Sequence, residues 1–364
     1  MWCADCESID EYFFDLTNFW IFVPTVETFG KVAVYCGSSG FAAVQKNSHC
    51  INVDVGKADL DRFLTGLYGA LESMELEGTK ITSTPEGEPD LEAMGRIVPL
   101  SVLINRYKSK WVTDALEHKT YESWYQPIIH TASDPENPEV FAHEALFRMS
   151  DEFGNVVPPG LVFQIAEDSD LLFSLDLTAR RSAVESASKG NLKGKIFINF
   201  NPSSIYDPSY CLRTTASAIA ELGMKPKDVV FEITETHRAS DLNHLKGILS
   251  FYRNAGFGIA LDDIGSGWSG LNLLHEVRPD YVKLDMELIR DIHQHDFKQA
   301  IVTHLIEMAR SSDIRVIAEG VEVQEEYDWI KSTGVDYIQG YYFAKPSKVN
   351  ELPEYSMSKR KKVA

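Results

Sequence analysis

Short apolar, β-prone runs recur along the chain from about residue 119, separated by longer stretches with helical spacing. The runs are Trp124–Ile129, Val140–Leu146, Lys195–Phe200, Val229–Ile233, Gly258–Leu261, Tyr281–Leu284, Arg315–Ala318 and Tyr337–Tyr342. Segments such as Ser174–Ala187, Thr214–Leu222, Asp241–Ala255, Phe297–Ser311 and Gln324–Thr333 have helix length and lie between most of them. Strands alternating with helices across 119–352 predict an α/β architecture, a (β/α)8 TIM-like barrel. A doubly wound open sheet competes, but no Gly-x-Gly-x-x-Gly follows a first strand.

The preceding part has a different texture. Residues 1–97 carry apolar runs at Phe19–Val23 and Val32–Tyr35 and an amphipathic stretch from Leu60 to Leu76, with Leu60, Phe63, Leu64, Leu67 and Leu71 on one face. Thr79–Asp90 concentrates Thr, Pro, Gly and acids, as an exposed loop does. This part reads as a smaller N-terminal α+β domain. Residues 98–118 read as one helix, with Leu100, Leu103, Ile104, Tyr107, Trp111 and Ala115 on one face, which either joins the two regions or packs on the nearer one. The basic ending, 353–364, reads as a solvated tail.

Charge narrows the function. A net charge of -19 and a pI near 4.9 argue against a sequence-blind grip on nucleic acid. Tyr12–Val23 is interrupted by Asp15, Thr17 and Asn18 and is too short to span a bilayer. The opening MWCADCESID lacks a basic n-region, and five cysteines suggest no disulfide framework, so a cytoplasmic protein without membrane attachment is expected. Cys3 and Cys6 form a C-x-x-C that could take zinc with the thiols of Cys36 and Cys50, beside which His49 stands. Buried or incidental thiols are the alternative. His143, His237 and His275 lack ligand spacing and read as structural, and no serine-nucleophile elbow is present.

Chemistry concentrates at the ends of the apolar runs. Glu144 stands in HEALFR, Asn199 in IFINF, Glu232 in VVFEITE, Asp262 and Asp263 in ALDDIG, Lys283 in YVKLD, Glu319 in VIAEG and Gln339 in YIQGYY. Strand ends of a barrel converge on one rim, where barrel active sites lie. Carboxylates gathered there repel one another unless cations sit among them, and Lys283 is the one lysine at an equivalent position. Oxygen donors without Cys or His suit Mg²⁺ or Mn²⁺. Adjacent Asp262 and Asp263 would serve two ions, an arrangement suited to phosphodiester cleavage. A purely structural acid network is the alternative.

Eight motifs in order identify a family resemblance: YQPI (125–128), EALFR (144–148), NFN (199–201), EITE (232–235), DDIGSG (262–267), YVKLD (281–285), AEGVE (318–322) and QGYYFAKP (339–346). Residues 111–352 thus resemble the EAL-type cyclic di-GMP phosphodiesterase domain. The resemblance implies a barrel whose first strand runs antiparallel, a homodimer formed through the region after the paired aspartates, and hydrolysis of cyclic di-GMP to linear pGpG. It also implies roles. Glu144, Asn199, Glu232 and Asp262 would hold one ion and Asp263 the second, with Glu319 as ligand or general base and Lys283 on the attacking water or scissile phosphate. Arg148 would contact the other phosphate, and Gln126, Leu146, Asp285, Gln339 and Phe343 the nucleotide. Glu235 would anchor the loop after Asp263, and Glu322 would support the metal site.

Departures from the family pattern gather after the paired aspartates, where Ile264, Ser266, Trp268 and Gly270 replace the usual Phe, Thr, Tyr and Ser; Met149 stands where Trp is common. No expected metal ligand is missing. Two readings follow: a hydrolase regulated by its N-terminal domain, and a receptor that binds cyclic di-GMP without cleaving it. Residues 1–110 have no GG[DE]EF signature and more acids than bases, which gives a nucleic-acid-binding module there little support; from its position before a catalytic barrel, the region 1–97 reads as a regulatory or partner-binding domain.

Overall fold

The structure, a computed structural model, describes residues 18–85, 87–151, 153–205, 208–234, 242–265 and 270–357. The chain divides into two units, Met1–Thr120 with Ser150–Leu175, and Tyr121–Met149 with Asp176–Ala364.

In the first unit, strands β1 (Asn18–Phe22), β2 (Ala42–Asn47), β3 (Cys50–Asp54), β4 (Lys80–Thr84) and β5 (Val98–Pro99) form one sheet in the order β2-β3-β1-β4-β5. Its neighbouring strands are antiparallel. Helices Val26–Ser39 and Leu60–Ala70 connect β1 to β2 and β3 to β4, which is the split β-α-β-β-α-β arrangement. The Thr25 side chain accepts from the Thr28 N–H to start the first helix, and left-handed Gly40 ends it. Phe19, Ile21, Ile51, Val53 and Ile81 point from the sheet toward Val32, Leu60, Phe63, Leu64 and Leu67 on these helices. Cys36 and Cys50 are separately buried as free thiols, and desolvation raises the Cys36 thiol to about 11. Cys3 and Cys6 lie outside the described residues.

Residues 98–118 form β5 followed by two helices, Leu100–Lys108 and Lys110–Glu117. Ser109 makes the corner: its hydroxyl bonds back to the Asn105 carbonyl at 2.5 Å, which bends a helix. The corner shifts the buried face, so Val112 and Ala115 are enclosed and Trp111 is half-buried. Residues 150–175, which include β8 (Val156–Val157), group with this unit rather than with the barrel.

The second unit contains β6 (Tyr121–His130), β7 (Glu139–Ser150), β9 (Lys195–Asn199), β10 (Val229–Thr234), β11 (Gly258–Ile264), β12 (Tyr281–Leu284), β13 (Arg315–Ala318) and β14 (Tyr337–Ile338). They close into a barrel in the order β6-β7-β9-β10-β11-β12-β13-β14, with β14 returning to β6. Only β6 runs against its neighbours, as the resemblance implied. The central strands are apolar on both faces because helices cover the outside while side chains fill the inside. Ile128, Ala142, Phe197, Val230, Ala260, Ile317 and Tyr337 form one interior cluster, with Phe141 stacked 3.9 Å from Tyr337. This filling leaves the carboxyl ends of the strands for chemistry.

Thr79–Asp90 is not wholly an exposed loop: Lys80–Thr84 is β4, buried from Ile81 to Thr84 because it pairs with β1 and β5. Two further local differences from the sequence reading have clear causes. Strand β14 stops at Ile338 rather than Tyr342, because at Gly340 the Val321 backbone comes so close that a Cβ would sit 2.0 Å from its carbonyl oxygen. In the tail, Ser356–Met357 (β15) pairs with Glu139 and Val140, and the Tyr355 hydroxyl donates to the Phe343 carbonyl at 2.8 Å. Among the described residues, no helix is long and apolar enough to cross a membrane.

Candidate active site

The rim is assembled by register. Gln126 on β6 lies opposite Glu144 on β7, Asn199 on β9 beside Glu232 on β10, and Thr234 on β10 beside Asp262 on β11. Alternation then sends Glu144, Glu232, Asp262 and Lys283 inward from four strands. Glu319 follows β13 directly, with its N–H donating to the Leu284 carbonyl. The adjacent aspartates reach the same rim through a local irregularity. The β11–β12 register slips by one residue between Leu261 and Ile264, and Asp263 has a left-handed φ of 56°. A bulge of this kind re-aims side chains that a regular strand would send to opposite faces.

Lys283 stands at the centre, only 1% exposed. Its Nζ lies 3.3 Å from Glu144 Oε2, 3.0 Å from Glu232 Oε1, 3.2 Å from Asp262 Oδ1 and 2.7 Å from Glu319 Oε1. One ammonium therefore faces four carboxylates, with Asp263 close behind. Oxygens of Glu144, Glu232 and Asp262 fall within 4.8 Å of one another, as do those of Asp262, Asp263 and Glu319, so Asp262 belongs to both groups. The environments differ. Burial pushes the Glu144 carboxyl up, but Lys283, Gln339 and Asn199 outweigh it and hold it below the ordinary value. Burial and the neighbouring acids push Glu232 and Glu319 well up against the pull of Lys283. Asp262 is raised by the same causes, and Asp263 reaches about 7, through burial and then Asp262. Lys283 loses to burial but gains more from the four acids, so it stays an ammonium.

Amides tune one carboxylate. Glu144 accepts from Asn199 Nδ2 at 3.0 Å and Gln339 Nε2 at 2.6 Å, and Gln339 also donates to Gln126 Oε1 at 3.0 Å. Glu232 has no such help. It is fully buried, and neither carboxylate oxygen takes part in a hydrogen bond; the Lys283 contact is ionic only. A buried anion left so is costly unless a cation completes it. The donor set, carboxylate and amide oxygens with no sulfur, fits a hard divalent ion.

A family model described as "EAL domain" matches residues 109–346. The chain belongs to this family. Among similar proteins, the probable cyclic di-GMP phosphodiesterase PdeG of Escherichia coli (strain K12) is 29% identical over 272 residues, 71% of this chain and 52% of that protein. The blue light- and temperature-regulated antirepressor BluF of the same organism is 28% identical over 233 residues, 64% of this chain and 56% of that protein. The chain thus spans about half the length of these curated relatives. A standalone EAL protein of Vibrio cholerae O395, solved in a cyclic di-GMP-bound form, is 36% identical with a TM-score of 0.56, covering 63% of this chain and 93% of that one.

The remaining EAL-motif residues fall into four situations. Arg148 and Leu146 continue along β7 from Glu144 toward the mouth. Asp285 and Phe343 are engaged locally: Asp285 accepts from the Glu287 N–H at 2.7 Å as a helix cap, and the Phe343 ring packs on Tyr327 and Tyr342. Glu322 is bound by Arg290 through two 2.7 Å contacts and touches none of the rim acids. Glu235 and His237 lie outside the described residues, as do Ser266 and Trp268.

One acid escaped the motif reading. Glu326, 1% exposed, accepts from the N–H groups of Asp291 (2.9 Å), Glu322 (2.9 Å) and Val323 (3.3 Å), tying the segment after β12 to the segment after Glu319. A glutamate in the first turn of a helix, here Gln324–Ser332, was the available signal.

Proposed function

We propose that this EAL barrel hydrolyses one phosphodiester of cyclic di-GMP to give pGpG and depends on divalent cations. The observation that carries the reading is Glu232, whose buried, unbonded carboxylate shares one ammonium with three other acids. Glu144, Asn199, Glu232 and Asp262 would hold one ion, and Asp263 the second together with Asp262 and Glu319. Bound Mg²⁺ or Mn²⁺ would lower the pKa of water and absorb charge on the phosphate oxygens. The chain's own groups do the rest. Glu319, the more open of the lysine-bound acids, takes the proton of the attacking water. Lys283 presents a fixed ammonium to the cleaved phosphate, and Gln339 and Asn199 orient Glu144. Arg148 binds the second phosphate, a task for a planar fork of donors.

Incubation of the purified chain with cyclic di-GMP and Mg²⁺ or Mn²⁺ should yield pGpG, and a chelator or Glu144→Ala should abolish it. A second reading is favoured by the similarity to BluF, which is named an antirepressor: tight binding of cyclic di-GMP with no product over hours would make this chain a receptor. Residues 1–97 are proposed to regulate the barrel spanning 119–352, with the barrels pairing as a homodimer. Comparing turnover and mass of the full chain with those of residues 111–364 tests both points.

A further inference from the structure

The ladder between β6 and β7 carries a continuous set of side chains outward from Glu144. Gln126 faces Glu144, Trp124 faces Leu146, and Glu122 faces Arg148, all on the inner side of the barrel. Opposed side chains on an antiparallel pair are close enough to interact, so Glu122 and Arg148 are placed to form an ion pair. They do not. Glu122 Oε1 accepts from the Trp124 indole Nε1 at 2.8 Å, and its Oε2 lies 2.8 Å from Lys348 Nζ. Among the described residues Arg148 forms no ion pair. Its guanidinium lies 5.2 Å from the centre of the Trp124 ring and donates from Nη1 to the Phe147 carbonyl at 2.9 Å. In a chain of net charge -19, a half-buried arginine without an acidic partner is kept that way by a specific arrangement.

We infer that Lys348, Glu122 and Trp124 form a positioning device that keeps the carboxylate opposite Arg148 on the ladder from pairing with it and holds its guanidinium ready for a phosphate of the substrate. The indole serves twice, as donor to Glu122 and as the face on which the cation rests. The lysine neutralises the acid that would otherwise compete with the ligand. The ion pair of Lys348 is to Glu122 and not to a rim carboxylate, so its effect is expected to pass through Arg148. This inference rests on the proposed role of Arg148 toward cyclic di-GMP, but one of its readouts does not.

The test removes the diversion and then the competitor. In Lys348→Met, Glu122 is released to pair with Arg148. The KM for cyclic di-GMP, or the Kd by calorimetry if the chain does not turn over, should rise about three- to tenfold, with kcat within about twofold. Adding Glu122→Gln to the same chain should restore the original value. Independently of any nucleotide, labelling by an arginine-selective dicarbonyl, read at Arg148 by mass spectrometry, should fall in Lys348→Met and recover in the double variant. Trp124→Phe, which keeps a ring but loses the donor, should also lower labelling. Unchanged labelling and affinity in Lys348→Met, or no recovery with Glu122→Gln, would overturn the inference. If labelling behaves as expected while no variant binds cyclic di-GMP, the functional reading fails and the device stands.

Discussion

Glu232→Gln offers a test in which stability and metal binding should move in opposite directions. Without metal, the wild-type carboxylate gains from Lys283 at 3.0 Å, an attraction of about 5–6 kcal/mol at an effective dielectric of about 20. It also faces Glu144 and Asp262 with oxygens within 4.8 Å, a repulsion of at least about 3–4 kcal/mol from each on the same scale. Repulsion wins by about 1–2 kcal/mol, and the unbonded buried oxygens add a cost of about 1–3 kcal/mol, part of which the amide retains. The metal-free variant should therefore be more stable at pH 8, melting about 4–8 °C higher for a barrel of this size. The sign with pH follows from the raised carboxyl of Glu232. Below the ordinary value of 4.5 both folded and unfolded chains hold the proton and there is no penalty; as pH rises the unfolded chain releases it first, and the penalty grows. Wild type and variant should thus melt together near pH 4 and diverge upward. Titration with Mn²⁺ should reverse the order, since at a hundredfold excess over Kd a bound ion adds about 2.7 kcal/mol to wild type and little to the variant. A metal-free variant that melts below wild type at pH 8, or that gains as much from Mn²⁺, would refute the reasoning.

Three other expectations can be checked separately. Glu319→Gln should lower kcat by about 10²–10⁴ while leaving the Kd for cyclic di-GMP within a few-fold, measured by turnover and calorimetry on one preparation. His143 is 5% exposed, its Nδ1 has no partner, and burial lowers its pKa to about 4. Above pH 6.5 it costs nothing; as pH falls from there toward 4 only the unfolded chain takes up the proton, so about 3 kcal/mol of stability should be lost, seen as a urea-midpoint slope that His143→Gln flattens. Gly340→Ala would place a methyl 2.0 Å from the Val321 carbonyl oxygen, which no flexible side chain can relieve; a loss of about 3 kcal/mol or more is expected in denaturant melts, with weakened turnover as Gln339 moves.

The barrel was legible because each strand is a short apolar run between helical stretches, and its rim because run after run ends on a carboxylate, an amide or the single lysine. What could not be read locally depended on contacts distant in sequence. The corner at Ser109 follows from one hydroxyl turning to its own helix, which a hydrophobic pattern does not encode. The short β14 follows from the approach of Val321 to Gly340, nineteen positions away in the chain. The central place of Lys283, touching four acids at once, emerges only when strands close into a ring. Glu322 was expected near the metal site, yet Arg290 holds it, and Glu326 is the buried acid instead. Glu322, just before the helix Gln324–Ser332, and Glu326 in its first turn look alike in sequence; which one is enclosed depends on the segment folded over it.

The reversed direction of β6 has a corollary for how this molecule can be cut or joined. In a barrel whose strands all point one way, the first residue sits at the end far from the chemistry, and a splice there is remote from it. Here the polypeptide enters at the mouth, and Glu122 is reached one residue after the strand begins. Shortening, lengthening or stiffening the chain at 118–120 would therefore be felt as altered substrate affinity well before it is felt as a failure to fold.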